Sequence, residues 1–258
     1  MASLLALLDS LSPLSGGVNA LLILLSLVTA WMTSAFGIGG SALLIMSMAQ
    51  VMPPAAVIPV HGMVQLGANG SRFTLTWRDV DYRRLAAIVP GILIGAAMAS
   101  WLLIRLPPGM LELIIASFMI FMCWGPSLPT RVVGMGGSLV MGALTTFLSS
   151  FVGAAGSIMA AYLKHISPER LVRVATFSAV MSLQHLSKAF IFGFAGFVFF
   201  DWLLLMAAMI GVGFVGTWAG LKVLQQVSNN NFDFVMKILL TVLSIRLLWV
   251  AFEKLVLI

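Results

Sequence analysis

Long apolar runs separated by short polar loops fill most of this sequence. The strands of a membrane barrel would alternate apolar and polar residues with a period of two, and these runs do not. They predict an all-α fold, a polytopic transmembrane helix bundle. Read between charges and prolines, the ten predicted helices lie near 18–36, 41–52, 55–72, 83–105, 108–125, 132–152, 157–165, 169–193, 201–225 and 232–253.

Two of the predicted helices are too short to cross a bilayer. The segment Ser41–Met52 rises only ~18 Å at about 1.5 Å per residue, whereas a bilayer core is about 30 Å thick. The helix near 157–165 is shorter still. Each follows a glycine-rich break, and irregular backbone at membrane depth is tolerated only beside protein or a water-filled cavity. We therefore expect two broken helices whose amino ends lie inside the membrane.

The two breaks resemble each other in sequence. Gly37-Ile-Gly-Gly40-Ser41 is similar to Gly153-Ala-Ala-Gly156-Ser157, and a short apolar helix follows each. The first of these helices ends at Pro53-Pro54 and the second at Pro168. The structural alternative is that the glycines only kink helices or let them pack closely, because glycine is common in membrane helices.

Loop charges suggest that the two halves are inverted. The most basic loop, Arg72–Arg84, is expected in the cytoplasm, whereas the loop after the eighth predicted helix, Gly193–Phe200, carries no Lys or Arg. Gln65-x-x-x-Asn69 also matches Gln184-x-x-x-Lys188. We predict two inverted repeats of about five helices each, 1–130 and 131–258, in one membrane domain. Broken helices at matching positions of inverted repeats point to a transporter site near the bilayer midplane.

Composition supports an integral membrane protein. The chain is 61% hydrophobic and 9% charged with a mean hydropathy of +1.10, whereas soluble domains carry about 25% charged residues. The net charge of +6 is attributed to membrane orientation and not to nucleic-acid binding. The single cysteine, Cys123, excludes an intramolecular disulfide and a dithiol relay. We expect no cofactor and no metal site.

The ionisable residues inside predicted helices favour an anionic ligand. His61, His185 and Lys188 are embedded, Arg72 lies at a helix end, and no acidic residue lies in a helix middle. Embedded ionisable residues are functional candidates by default, and buried helix amino ends attract anions. The predicted substrate-binding residues are Gly37, Gly39, Gly40, Ser41, Gln65, Asn69, Arg72, Gly153, Gly156, Ser157, Gln184, His185 and Lys188. His61 and His185 are candidates for proton coupling.

Several of these residues have structural alternatives. Lys188 would instead snorkel to an interface, and Arg72 would be an ordinary basic loop residue. His61 would form a hydrogen bond between helices, and His185 would pack against neighbours, since it points about 100° away from Gln184 on a helix. A membrane enzyme is the rival functional class, but no nucleophile–base pair or metal-ligand cluster is evident in the sequence.

A set of short motifs runs along the chain: the segment 37–41, Pro53-Pro54, Trp77-Arg78-Asp79-Val80-Asp81, and Pro90-Gly91-x-x-x-Gly95 with Leu106-Pro107-Pro108. In these motifs the chain resembles the sulfite exporter TauE/SafE family, also called the toluene-sulfonate uptake permease family. The resemblance covers nearly the whole chain and implies a multi-pass carrier of the bacterial inner membrane. The substrates that it implies are sulfite, thiosulfate and organosulfonates such as sulfoacetate.

The resulting hypothesis is a secondary transporter of small sulfur-containing anions, with export favoured and alternating access as the mechanism. The alternative is a proton-coupled importer of organosulfonate, thiosulfate or another small organic anion. No phosphate-binding loop for ATP is present. The expected partners are the small anionic substrate and membrane lipid, and the protein is expected to be a monomer or a homodimer.

Overall fold

The computed structural model of the chain describes residues 2–36, 39–103, 109–126, 134–153, 155–167, 169–223 and 232–256. Within these ranges the chain forms eleven α-helices, two 3₁₀ turns and no β-strand. The helices are α1 (Ala2–Asp9), α2 (Gly16–Phe36), α3 (Gly40–Val51), α4 (Pro54–Thr76), α5 (Tyr82–Leu103), α6 (Met110–Trp124), α7 (Gly134–Val152), α8 (Gly156–Ile166), α9 (Arg170–Phe194), α10 (Leu203–Val223) and α11 (Phe232–Val256). The 3₁₀ turns are Trp77–Asp79 and Phe199–Trp202. The all-α prediction is confirmed.

Five segments of the described chain are long and apolar enough to cross a membrane on their own: Gly16–Phe36, Tyr82–Leu102, Gly134–Val152, Phe199–Val223 and Phe234–Leu255. They correspond to α2, α5, α7, α10 and α11. A lipid-facing helix must present apolar side chains, and these helices do so over most of their length. The chain is therefore a multi-pass membrane protein, as predicted.

The short helices α3 and α8 begin and end within one residue of their predicted bounds. The glycines that precede them, Gly39 (φ 98°) and Gly153 (φ 73°), have backbone conformations that L side chains rarely adopt. Met52 and Ser167 are extended at the far ends, because a residue before proline is driven out of the helical region. Local sequence signals thus fix both short helices.

α4 and α9 are the most polar of the long helices, and they pack against each other. They run antiparallel: the His61 ring faces the His185 ring, and the Asp81 amide just after α4 donates to Thr176 near the start of α9 at 2.9 Å. α10 also packs on α4, and α5 packs on α9. This packing separates the polar side chains of the central pair from lipid, so polar residues are tolerated there.

Two pairs of long helices pack closely and in parallel. Gly91 and Gly95 of α5 follow Leu139 and Ala143 of α7 in the same direction. The α2–α10 pair is built in the same way, with Gly216 against Leu27 and Gly220 against Trp31. A Cβ atom on Gly91 would lie 2.0 Å from the Leu139 carbonyl oxygen. Small residues at these contacts let the backbones approach, which is how helices associate in membranes.

α6 and α11 form an antiparallel pair on a further side of the bundle. Lys254 pairs with Glu112 at 2.6 Å at one end, and Trp124 donates to Thr241 at 2.8 Å at the other. The indole and the ion pair each join one helix to the other. Together they fix the register of this pair.

The predicted helices differ most from the structure in two places, and the predicted ends at 104–105, 108, 132–133 and 224–225 lie outside the described residues. α1 is absent from the prediction because its eight residues are too few for a span, and contacts such as Asn19 Nδ2 donating to the Leu8 carbonyl at 2.8 Å hold it. The helix predicted at 55–72 continues to Thr76. In this last stretch Arg72 and Thr76 are buried, so the end of the apolar run is not the end of the helix. Arg72 therefore lies within α4.

Candidate functional site

A cavity of about 320 Å³ lies where the amino ends of α3 and α8 meet the central helices α4 and α9. Several residues that the sequence separates by more than 100 positions come together here. The predicted site residues that line it are Gly39, Ser41, Gln65, Asn69, Gly156, Ser157 and His185. The two breaks and the polar helices thus contribute to one space.

Both short helices direct uncapped amino ends to this cavity. The residues that precede them, Gly39 and Ala155, form no side-chain cap hydrogen bond. The first N–H groups of a helix have no partner within the helix, and the helix dipole adds a partial positive charge at the same end. Two such ends at one cavity form a site suited to an anion.

Among the polar side chains of the cavity wall, His185 is the one whose ring nitrogens lack hydrogen-bond partners in the described chain. It is 0% exposed, and neither ring nitrogen has a hydrogen-bond partner among the described residues. Beside it, Asn69 Nδ2 donates to the Gln65 backbone carbonyl at 2.8 Å, which orders the amide pair of α4. A buried polar group without a partner costs stability unless a ligand or water satisfies it. His185 is therefore placed to bind a polar ligand.

Four predicted polar residues do not line the cavity and contact other helices instead: Lys188, Gln184, Arg72 and His61. Lys188 is fully buried and donates to the Ser149 carbonyl at 3.2 Å. Gln184 donates to Thr145 Oγ1 at 2.8 Å. Lys188 therefore does not reach an interface.

Arg72 and His61 also bond within the protein. Arg72 is 2% exposed and donates to Ser34 Oγ at 3.0 Å, so it is not a loop residue. His61 Nε2 donates to the Ser41 carbonyl at 3.1 Å and holds α4 against the start of α3. This is the hydrogen bond between helices that the sequence analysis gives as the structural alternative for His61. The second ring nitrogen, Nδ1, has no partner in the described chain.

The remaining predicted glycines support the breaks. A Cβ on Gly40 would lie 1.9 Å from the Thr29 carbonyl oxygen, and one on Gly153 would lie 1.9 Å from Ile45 Cδ1. Gly40 therefore lets α3 approach α2, and Gly153 lies against a core side chain. Gly37 lies outside the described residues.

The rest of the cavity wall consists of residues that the sequence analysis does not single out. α6 and α11 contribute one side, and most of its members are apolar or soft sulfur-containing side chains. The set is Thr33, Ala42, Met119, Met122, Cys123, Phe177, Met181, Met236, Lys237 and Leu240. Nothing in the local sequence distinguishes these methionines from other core methionines, because α6 and α11 approach the site only through tertiary packing.

Two further observations bear on chemistry. None of the described residues lining the cavity is Asp or Glu. In the described ranges, no three His, Cys, Asp or Glu side chains group as metal ligands would. The arrangement therefore offers donors and positive charge to an anion, and it offers no carboxylate for a cation.

Comparison with known proteins identifies one family. The family model described as Sulfite exporter TauE/SafE matches residues 22–247. This range includes every residue that lines the cavity. No curated protein and no solved structure matches the chain.

Proposed function

The chain belongs to the sulfite exporter TauE/SafE family, and on that premise we propose that it exports sulfite or organosulfonates across a bacterial inner membrane by alternating access. Membership in a transporter family implies a membrane transporter of sulfite or related sulfur anions and not an enzyme. The substrate within that class, the direction of transport, the membrane and the binding residues are our proposals.

One observation supports this proposal most strongly: two helix amino ends without a side-chain cap meet at one cavity that has no carboxylate among its described lining residues. A sulfonate or sulfite group has several acceptor oxygens and no donor at full ionisation. The N–H groups at Ser41 and Ser157 would donate to those oxygens. His185, Gln65 and Asn69 would supply further polar contacts from the central helices.

The apolar side of the cavity favours an organosulfonate over bare sulfite. Met119, Met122 and Met236 line the cavity together with the polar ends of α3 and α8, and methionine side chains adapt to irregular apolar groups. A ligand with a sulfonate head and a carbon skeleton would use both sides. Sulfoacetate is the simplest such compound for a first test.

Helix packing supports the inverted-repeat interpretation that alternating access requires. α5 of the first half packs in parallel on α7 of the second, and α10 of the second half packs in parallel on α2 of the first. α4 and α9, and likewise α6 and α11, pair antiparallel. Two halves related by a two-fold axis in the membrane plane would produce this set of pairings.

Energetics favour export for an uncoupled carrier. An interior-negative potential drives an anion outward by about 2.3 kcal/mol per charge per 100 mV. Uptake would need a coupled cation, and the absence of a carboxylate in the described cavity wall argues against a sodium site there. Export therefore needs no further component.

The second candidate function is proton-coupled import. The centroids of the His61 and His185 rings lie 6.2 Å apart, and His185, which lines the cavity, has no hydrogen-bond partner in the described chain. A histidine exchanges a proton near neutral pH. Proton uptake that accompanies substrate entry into proteoliposomes would support import, and transport without proton movement would leave uniport export.

Binding of four anions to the purified protein tests the proposal directly. Calorimetric titration with sulfite, sulfoacetate, thiosulfate and acetate should give the tightest binding for a sulfur oxyanion, with sulfoacetate ahead of acetate. Efflux of preloaded sulfoacetate from proteoliposomes should then depend on the protein. Equal affinity for acetate and the sulfur compounds, or no binding of any sulfur compound, would contradict the proposal.

A further inference from the structure

Arg72 and Lys188 are buried cations that do not line the cavity. Arg72 is 2% exposed and Lys188 is 0% exposed, and neither pairs with a carboxylate in the described chain. An uncompensated charge buried in protein is strongly destabilising. Each side chain therefore needs some other negative partner in its surroundings.

For Lys188 that partner is the carboxyl end of α7. Its Nζ donates to the Ser149 carbonyl at 3.2 Å, and Ser149 lies in the last turn of α7, which ends at Val152. The Ser149 carbonyl also accepts the Gly153 N–H at 2.8 Å, so Lys188 is its second donor. The last carbonyls of a helix carry the negative end of its dipole. A cation at this position is stabilised by that end.

Arg72 occupies a similar position at α2. Its Nε and Nη2 donate to the Ser34 hydroxyl oxygen at 3.3 and 3.0 Å, and Ser34 lies in the last turn of α2, which ends at Phe36. Its Nη1 donates to Asn69 Oδ1 at 3.3 Å, so Arg72 also orients an amide of the cavity wall. Arg170 reaches the same end and donates to the Ala35 carbonyl at 3.4 Å. The carboxyl end of α2 thus has two cations, and that of α7 has Lys188.

A shift of 116 residues relates the two cations, and it replaces the 119-residue match of Gln65 and Asn69 with Gln184 and Lys188 that the sequence suggests. Later helices are shifted further, and α11 begins 122 residues after α6 (232 − 110). α8 begins 116 residues after α3 (156 − 40), and α9 begins 116 residues after α4 (170 − 54). The same shift takes Ser71-Arg72 to Ser187-Lys188 and Thr33-Ser34 to Ser149-Ser150. Both the cations and the helix ends that they contact therefore occupy equivalent positions in the two halves.

We propose that Lys188 and Arg72 are positioning residues that bind the carboxyl ends of α7 and α2, and do not contact the substrate. At each break the carboxyl end of one helix, α2 or α7, lies close in sequence to the amino end of the next, α3 or α8. The negative charge of the first end partly cancels the positive charge of the second. A cation on the negative end leaves the amino end of α8 or α3 positive toward the cavity, which Lys237 also lines. This inference rests on the proposed anion site and gives Lys188 a different role from direct ligation.

Thiol labelling separates contact with the cavity from a position behind its wall. In a Cys123→Ala background, Ser157→Cys should react with a water-soluble thiol reagent and be protected by sulfoacetate. Lys188→Cys should react at least about tenfold more slowly, because the native side chain is fully enclosed. Sulfoacetate should not change that slow rate. Fast labelling of the Lys188→Cys variant that sulfoacetate blocks would overturn the inference.

Affinity and thermal stability together separate positioning from a merely structural role. Lys188→Met should raise the Kd for sulfoacetate about tenfold, since a partly buried helix-end charge is worth that much. Its Tm should equal or exceed that of the unmodified protein, because an apolar side chain of similar length replaces a buried charge. Lys188→Arg should restore the affinity.

Arg72→Met should raise the Kd for sulfoacetate less than Lys188→Met does, because Arg170 also donates to the carboxyl end of α2.

The outcomes distinguish this inference from the proposed function. If the unmodified protein binds no sulfonate, the proposed function fails and the positioning role fails with it. If the unmodified protein binds sulfoacetate while Lys188→Met retains its Kd, only the positioning role is overturned. A Tm that falls in Lys188→Met while the Kd stays constant identifies a structural lysine and also overturns it.

Discussion

At the scale of single residues, His185 brings two unsatisfied polar atoms to the cavity wall. It is 0% exposed, and neither ring nitrogen has a hydrogen-bond partner in the described chain. A hydrogen bond to a charged ligand contributes about 1.5–3 kcal/mol. A hydrogen bond from the His185 imidazole to an anionic ligand would therefore stabilise the bound state, whereas its protein neighbours in the described chain provide no such bond.

Replacing His185 should weaken binding more than it affects folding. We expect His185→Ala to raise the Kd for sulfoacetate about tenfold or more, from the loss of one charge-assisted hydrogen bond. Titration of the purified variant measures this, with His165→Ala as the control, since His165 lies exposed near the end of α8. An unchanged Kd in His185→Ala would place the histidine outside the site.

The glycines at the two breaks should respond differently to substitution. A Cβ on Gly40 meets the α2 backbone at 1.9 Å, whereas one on Gly156 meets only the ends of Phe177 and Met181 at 3.2 and 3.5 Å. Gly40→Ala should therefore destabilise the fold by about 1–3 kcal/mol. Gly156→Ala should keep the Tm and change the affinity, because Phe177 and Met181 line the cavity.

Gly70→Ala is the matched control for both variants, since a Cβ there meets nothing within 4 Å. Thermal unfolding and anion titration of the three variants give the comparison. A low Tm in Gly156→Ala, with Gly40→Ala unaffected, would contradict this assignment of the two glycines.

Sequence alone predicts the breaks but not which neighbouring side chain faces the cavity. Ser41, Gln65 and Asn69, which are predicted to bind substrate, line it, whereas Gln184 faces α7 and its neighbour His185 lines the wall. Adjacent residues on a helix point about 100° apart. The packing of α4 on α9 decides which of them is inward, and no local signal records that packing.

At the scale of helices, local chemistry and tertiary packing determine different features. Glycine at positive φ and proline after an extended residue specify the bounds of α3 and α8. The approach of α6 and α11 to the cavity depends on partners far away in sequence, such as Glu112 with Lys254. The short helices were therefore predictable and the methionine-rich wall was not.

Close packing of α5 on α7 should be sensitive to a single methyl group. A Cβ on Gly91 would lie 2.0 Å from the Leu139 carbonyl oxygen, so the helices must separate in Gly91→Ala. We expect a loss of about 1–3 kcal/mol, measured as a lower Tm in detergent. Gly136→Ala in α7 is the control, because a Cβ there meets nothing within 4 Å. Equal Tm values for the two variants would refute this view of the contact.

At the scale of the whole molecule, the 116-residue shift relates the described cavity to an alternative one. It takes His61 to Phe177 and Thr33 to Ser149. Phe177 and Thr33 line the cavity, whereas His61 and Ser149 do not. If the halves are inverted repeats that exchange conformations, the state open to the opposite side exposes His61 and encloses Phe177.

Labelling from the two membrane faces tests that exchange. In a Cys123→Ala background, Phe177→Cys should react with an impermeant thiol reagent from one face, and His61→Cys should react from the other. Right-side-out and inside-out vesicles provide the two faces. Reaction of both cysteines from the same face would exclude an exchange of this symmetry.

The native Cys123 offers the most direct test that an anion binds between the two broken helices. It is the single cysteine of the chain and lines the cavity, so its alkylation rate in the unmodified protein reports whether the cavity is occupied. Saturating sulfoacetate should slow alkylation of Cys123 several-fold, and malonate, in which a carboxylate replaces the sulfonate, should slow it much less. An alkylation rate that sulfoacetate leaves unchanged, or that both compounds lower equally, would contradict a sulfur-anion site at the amino ends of α3 and α8.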